Sequence, residues 1–237
     1  MIRASNCKRV CAQRLTAGTS LGTVQARSAT RETPSKMYTT SKGLLAITPR
    51  STVATEIRTE RLILRSWRAE DRAPFASLNA DSQVMEYMPR KLSVKESDAF
   101  VDRIEEHFRQ HGFALYAAEL RSRGEFIGFI GLHIPAFQTE FTPCVEIGWR
   151  LASSYWGQGL ATEGAQAIVG YGFEQLGLQE IVSFTVPANL RSRRVMEKLD
   201  MKRNPAEDFN HPRLSPAHRL SRHVLYRLRH GDWSAKR

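Results

Sequence analysis

The chain has 237 residues, of which 41% are hydrophobic and 25% charged, values close to the averages of globular proteins. It holds no apolar run of the eighteen or so residues that span a bilayer, which excludes an integral membrane protein. Its three cysteines make no disulfide framework. Cys7 and Cys11 lack the second pair or histidine cluster of a metal site. The sequence therefore predicts no metal and a reducing compartment.

The net charge of +11 is unevenly distributed along the chain. Residues 1–50 carry nine Lys or Arg and a single acid, Glu32, whereas residues 51–237 carry 26 basic and 23 acidic side chains. The second part is thus close to neutral, which disfavours a nucleic-acid partner for it.

Residues 1–54 are predicted to be a basic, disordered leader because they show no sustained hydrophobic periodicity. Their Arg- and Ser-rich, acid-poor composition fits an organellar transit peptide, a solvated tail or an upstream extension of the reading frame. The expected location is the cytoplasm, with organellar import as the alternative. Residues 55–237 are expected to form one domain.

Regular structure is predicted from about Glu60. Ser93 and Glu96 have the spacing of a capping box, which begins a helix that Gly112 ends. Two β-type runs then face each other across a turn at Gly124. The predicted elements of this half are a strand over 61–65, helices over 69–79 and 93–111, and strands over 113–120 and 125–134.

The second half predicts strands alternating with helices around a glycine-rich loop. Asn189 is placed to cap the last of these helices. The predicted elements are strands over 144–151, 180–186 and 223–228 and helices over 160–176 and 189–199. The whole order, β-α-α-β-β-β-α-β-α-β, is typical of an α/β (α+β) domain around a mixed sheet.

The segment Tyr155-Trp156-Gly157-Gln158-Gly159-Leu160-Ala161-Thr162-Glu163 leads from a strand directly into a helix. Free amides and the positive end of the helix dipole make such a start an anion site. Glycines let the backbone approach a phosphate closely. The segment has neither the dinucleotide fingerprint nor a P-loop, which disfavours NAD and ATP.

These motifs, with Thr59–Arg65 before them and Asn189–Leu199 after them, resemble the GNAT superfamily of N-acetyltransferases. Within it they are most similar to the RimJ/RimL-type, ribosomal-protein N-acetyltransferase-like branch. The resemblance covers about residues 56–230. It implies a GNAT fold, in which a mixed, mostly antiparallel sheet is splayed at a cofactor wedge and flanked by helices. One departure is Trp156, where the superfamily usually has Arg or Gln.

The resemblance also implies acetyl-CoA as co-substrate. Its pyrophosphate would lie on the loop amides, its pantetheine arm along the backbone of Leu151 and beside Asn189, and its thioester carbonyl at the amide of Trp149. The implied cofactor residues are Trp149, Leu151, Trp156, Gly157, Gln158, Gly159, Leu160, Ala161, Thr162 and Asn189.

Acetylation of an amine requires removal of a proton, because an alkylammonium has a pKa near ten. Glu146 is the candidate base, acting through water, since a carboxyl in a dry cleft can be tuned upward. The alternative is a strand residue that faces solvent. Ser192 is the candidate proton donor to the thiolate, or else a helix-surface serine. Tyr226 and His133 are expected to be structural.

The acceptor is predicted to be a primary amine of a protein N-terminus or a small molecule, with Asp81, Glu86 and Glu140 placed to steer a cation. Transfer would be direct, within a ternary complex of a monomer or homodimer. Two alternatives remain: a CoA-binding module without turnover, and an RNA-associated protein that uses the basic leader and the arginines near Ser192.

Overall fold

The computed structural model describes residues 26–28, 38–40, 43–45 and 54–235, with side chains over 56–235. Most of the predicted leader lies outside these residues. The transit-peptide, tail and extended-start interpretations of it stay predictions.

Twelve strands are described. They are β1 (Ala26–Ser28), β2 (Tyr38–Thr40), β3 (Gly43–Leu45), β4 (Ala54–Arg58), β5 (Leu62–Arg65), β6 (Leu115–Leu120), β7 (Glu125–His133), β8 (Glu146–Leu151), β9 (Glu180–Thr185), β10 (Lys202–Arg203), β11 (Phe209–Asn210) and β12 (Arg222–Arg229). The helices are α1 (Arg72–Ala80), α2 (Val94–His111), α3 (Leu160–Glu174), α4 (Leu190–Lys198) and α5 (His230–Ser234), with 3-10 turns at Ala69–Asp71, Ser153–Tyr155 and Pro205–Glu207.

The central sheet has the order β1-β4-β5-β6-β7-β8-β9-β12-β10, and β11 pairs with β12. Every pairing is antiparallel except that of β8 with β9. Those two strands share a single register pair, Glu146 with Val182, before they diverge. The opening between them is called the wedge below. The predicted GNAT fold is confirmed, including its mixed, mostly antiparallel sheet.

Helices cover both faces of the sheet because side chains alternate along each strand. Ile130 of β7 packs in the core beneath α3, whereas its neighbour Phe129 packs against α1 and α2. A bulge opposite Ala118 and Glu119 lets Ile127 face the α3 side as well. The sheet thus separates an α3 face from an α1/α2 face.

The predicted helix ends agree with the backbone. Ser93 and Glu96 form both halves of the capping box of α2, and Gly112 ends the helix at φ 77°. The Asn189 side chain caps α4 by accepting from the amide of Ser192. By contrast, Gly159 precedes α3 without any side-chain cap, which leaves the first amides of that helix available.

The sheet begins earlier than the sequence predicts. β4 pairs with β5 ahead of Glu60, although its polar residues Glu56 and Arg58 give it no clear alternating pattern. The short helix α5 after β12 was also absent from the predicted elements. In the part of the chain that the structure describes, no helix is long and apolar enough to cross a bilayer.

Candidate functional site

A cleft of about 340 Å³ opens beside the last residues of β8, between the segment that joins α1 to α2 and the helices α3 and α4. Of the predicted cofactor residues, it is lined by Trp149, Leu151, Trp156, Gly157, Gly159, Leu160, Ala161, Thr162 and Asn189.

The loop over residues 156–162, called the amide loop below, has the backbone of an anion site. Gly157 and Gly159 both adopt left-handed conformations, with φ of 75° and 80°. Within the described residues, none of the six amides from Gly157 to Thr162 donates a hydrogen bond, and the first helical bond starts at the Glu163 amide. Six free donors at the positive end of α3 favour a phosphate-bearing ligand.

The Thr59–Arg61 segment holds the amide loop in place. Arg61 Nη1 donates to the Gln158 carbonyl at 2.9 Å, and Arg61 Nε lies 2.6 Å from Glu163 Oε2. Glu163 also accepts from Thr59 Oγ1 and the Arg61 amide. Burial alone would raise the pKa of Glu163, but these hydrogen bonds hold it below its usual value. The two motifs noted in the sequence therefore meet in space.

Gln158 differs from the other predicted cofactor residues. Its side chain donates to the Ser154 carbonyl at 3.0 Å, and it is not among the residues that line the cleft. Only its amide is therefore placed with the other donors of the amide loop.

The wedge exposes backbone of β8. The Val145 carbonyl accepts from the Val182 amide and the Ile147 carbonyl from Ser183 Oγ, so odd-numbered residues of β8 point toward β9. By alternation, the backbone groups of Trp149 and Leu151 point toward the space that β9 has left. The sequence-based roles of both residues require that direction.

The Trp156 side chain forms a hydrogen bond with one of these backbone groups. Its indole N–H donates to the Leu151 carbonyl at 2.8 Å, which leaves the Leu151 amide as the group available to a ligand. The Arg191 guanidinium lies 4.4 Å from the centre of the Trp156 ring and 2.8 Å from Glu86. Trp156 thus shapes the cleft through its ring and holds α4 beside it.

Glu146 lies at the start of β8, where β9 is still paired, and it does not line the cleft. Its carboxylate is 3.2 Å from His133 Nε2. Burial raises the pKa of Glu146 well above its ordinary value and lowers the pKa of His133 to about 4. Glu146 is 9% exposed, so the solvent-facing alternative is wrong. Burial therefore favours the neutral form of both side chains.

Ser192 and Asn189 both line the cleft. The Asn189 amide group also donates to Thr185 Oγ1 at 3.0 Å, so the residue joins α4 to β9. Tyr226, by contrast, is 3% exposed, and its hydroxyl donates to Glu197. Its structural interpretation agrees with these contacts.

Cations line the cleft, and among the described residues no carboxylate does. Arg191 and Arg194, which line the cleft, are among the arginines near Ser192 noted in the sequence, whereas Arg150 and Lys198 were missed. The alternation of side chains along the strand could have identified Arg150, because it lies on the same face of β8 as Glu146. Glu86, expected to steer a cationic acceptor, is paired with Arg191 instead.

The described part of the chain has no group of three or more His, Cys, Asp or Glu side chains arranged to hold a metal ion. The Cys144 thiol is buried, and burial raises its pKa to about 12. Such a thiol is a poor nucleophile at neutral pH.

Comparison with known proteins gives one consistent family. Residues 61–202 match the family described as Acetyltransferase (GNAT) domain. The N-acetyltransferase YnaD of Bacillus subtilis is 32% identical over 148 residues, which cover 62% of this chain and 82% of YnaD. FsC-acetyl coenzyme A-N(2)-transacetylase of Aspergillus fumigatus is 42% identical over 82 residues, 32% of this chain and 34% of that protein. A GNAT-family acetyltransferase from Bacillus anthracis superposes with a TM-score of 0.61 at 27% identity, covering 74% of this chain and 99% of its own.

Proposed function

The chain belongs to the GNAT family of acetyltransferases and is an acyltransferase, and on that premise we propose that it transfers an acetyl group from acetyl-CoA directly to a primary amine. The acceptor amine belongs to a small molecule or a protein N-terminus. The name of the A. fumigatus relative, which includes acetyl coenzyme A, supports this choice of donor.

The observation that carries the proposal is the row of six free amides in the amide loop. They form an anion site at the start of α3, next to the wedge. Arg191, Arg194 and Lys198 line the same cleft from α4. A nucleotide diphosphate with a neutral thiol-bearing arm fits this arrangement, since its charge would lie at the loop and its arm along β8.

Acetyl-CoA supplies an activated thioester when it is bound, and the side chains of this chain handle the protons. The amide of Trp149 donates to the carbonyl oxygen as negative charge develops there. Glu146, with His133 beside it, takes the amine proton through water as the C–N bond forms. Ser192, which lines the cleft, would donate a hydrogen bond to the thioester sulfur and so stabilise the thiolate that takes the electron pair of the broken C–S bond.

The same proposal includes membership of the RimJ/RimL-type branch, which rests on the Thr59–Arg65 opening and on the strand over His223–Tyr226. The contacts of Arg61 with Gln158 and Glu163 support it, because they give that opening a role at the cofactor loop.

Gly159→Glu tests the anion site. A carboxylate beside the free amides should abolish CoA binding in calorimetry and acetyl-CoA consumption with an amine panel. Gly124→Glu is the matched control, because Gly124 also has a left-handed φ (63°) but lies in a turn with open space around it. The control should bind CoA like the parent chain.

Retained CoA affinity in a folded Gly159→Glu protein would refute the site. CoA binding by the parent chain without turnover of any amine would instead support the alternative of a CoA-binding module.

A further inference from the structure

Arg150 is a cation of the cleft that has no carboxylate partner. Its Nη1 donates to Asn79 Oδ1 at 2.6 Å and its Nη2 to Met88 Sδ at 3.2 Å. No ion pair joins it to a described carboxylate, and burial is the cause of its pKa shift. Both of its hydrogen-bond partners are neutral groups of α1 and of the segment that follows it.

This arrangement is unfavourable in the protein alone. Burial lowers the pKa of Arg150 to about 10, which still leaves the guanidinium charged at neutral pH. Arg150 is half-buried, and a partly desolvated cation without a counter-charge still carries a desolvation cost. A ligand anion that entered the cleft would offset that cost.

The guanidinium also keeps N–H groups for a further partner. The ring centres of Phe100 and Phe129 lie 5.8 and 5.4 Å from its central carbon. The two rings therefore pack against the guanidinium on the α1/α2 face. Two of the five N–H groups of an arginine are used by Asn79 and Met88, and three remain. A planar fork of this kind matches a carboxylate with two parallel hydrogen bonds.

Arg150 stands on the same face of β8 as the candidate base. Side chains at positions 146, 148 and 150 point to one side of a strand. Gly148 lies between the other two, and a Cβ built there would meet nothing closer than Leu115 Cδ2 at 3.9 Å. Glu146, the open position at Gly148 and Arg150 thus follow one another along the strand. The Cα atoms of Glu146 and Arg150 are about 14 Å apart.

The phosphates of the cofactor have their own partners. The amide loop and the α4 cations Arg191, Arg194 and Lys198 surround the start of α3, whereas Arg150 contacts α1 and its following segment. The pantetheine arm between them carries no charge. An anion bound by Arg150 would therefore belong to the acceptor and not to the cofactor.

We propose that the acceptor is an amine that also carries a carboxylate, and that Arg150 binds this carboxylate while the amine lies toward Glu146. The proposal rests on the proposed acetyltransferase function and names the substrate class of the same site. It replaces the cationic acceptor that the sequence suggested with a zwitterionic one.

Matched acceptors test the proposal. 4-Aminobutyrate and 6-aminohexanoate are each compared with their carboxamides, which keep a similar amine and lose the negative charge. The parent chain should favour the carboxylate member in kcat/KM by about 30-fold or more, as expected when a desolvated charge pair is removed. Arg150→Gln should erase that preference by raising KM for the carboxylate acceptors about 30-fold or more, so that both members of each pair react alike.

Arg103→Gln is the control variant. Arg103 also lies over the Phe100 ring, at 5.5 Å, but it is exposed and outside the cleft. It should retain the full carboxylate preference. Arg150→Lys should keep part of it, because a lysine has the charge without the planar fork.

A second readout does not depend on turnover. Binding of N-acetyl-4-aminobutyrate, N-acetyl-6-aminohexanoate and the matching amides to the protein–CoA complex is measured by calorimetry. Equal affinity of the acids and the amides, or equal rates for both acceptor types, overturns the role of Arg150 and leaves the acetyltransferase proposal intact. Failure to bind CoA overturns the proposed function itself.

Discussion

Two arginines in different regions of the molecule, one buried and one half-buried, differ in the partners of their charge. Arg65, at the end of β5, is 5% exposed and donates to both oxygens of Asp71, at 2.7 and 2.9 Å, and to Glu119 at 2.6 Å. Burial alone would lower its pKa, but these carboxylates raise it above the ordinary value. Within the described residues Arg150 has only neutral hydrogen-bond partners, and burial lowers its pKa to about 10.

The contrast separates a structural cation from a binding one. Arg65 joins β5, β6 and the turn before α1, and its charge is fully matched within the chain. Arg150 lines the cleft with its charge unmatched. Carboxylates of the chain itself balance the charge of Arg65, whereas a ligand is required to balance the charge of Arg150.

The largest effect is expected from Arg65→Gln. This change leaves the buried Asp71 without its cation and leaves Glu119 with only Arg68, whose Nη1 donates to it at 3.2 Å. The free energy of unfolding should fall by about 3–5 kcal/mol. Urea unfolding followed by circular dichroism measures the loss.

The control for this variant is Arg58→Gln, which removes an ion pair with Glu56 at 2.6 Å near the surface. That variant should lose no more than about 1 kcal/mol. If Arg65→Gln were no more damaging than Arg58→Gln, the structural assignment of Arg65 would be wrong.

Glu146→Gln should lower kcat by about 100-fold, equivalent to about 2.7 kcal/mol in the barrier. Because burial raises the pKa of Glu146, the parent rate should climb with pH as this carboxyl ionises. The variant should lose that limb of the pH–rate profile. His133, at 3.2 Å, and the Cys144 thiol are the titratable neighbours, and neither carries a negative charge at neutral pH.

Glu146→Gln should lower the reaction rate, but it should raise the stability of the fold at high pH. A carboxyl whose pKa is raised by folding contributes stability that is present below its unfolded pKa and is lost as pH rises through its folded pKa. Glutamine does not ionise, so the variant should gain melting temperature relative to the parent toward alkaline pH. A variant that is slower but shows an unchanged profile in both measurements would exclude Glu146 as the base.

The sequence predicts the amide loop better than it predicts the opposite side of the cleft, for a physical reason. The loop is local: Gly157, Gly159 and the start of α3 occupy consecutive positions, so the anion site is visible in one segment. The helix caps at Ser93 and Asn189 are local as well, and both are confirmed.

Arg150, Asn79 and Met88 come from three separate elements, and their contacts depend on how α1 packs on the sheet. The pairing of His133 with Glu146 likewise depends on the register of β7 and β8. No spacing along the chain encodes either contact. Strand alternation alone could have placed Glu146 and Arg150 on a common face, but the absence of a partner for Arg150 needed the structure.

The smallest effect is expected for the stability of Arg150→Gln, and it completes the comparison with Arg65→Gln. The glutamine side chain is two bonds shorter than the guanidinium, so the buried Asn79 Oδ1 loses its donor, which costs stability. The change also removes a charge that has no counter-charge among the described residues, which offsets that cost. The free energy of unfolding should therefore change by less than about 1 kcal/mol, measured in the same urea experiment. A loss as large as that of Arg65→Gln would mean that Arg150 is held for the fold. A near-neutral result together with a lost carboxylate preference assigns its charge to the acceptor, because the same substitution then separates binding from stability.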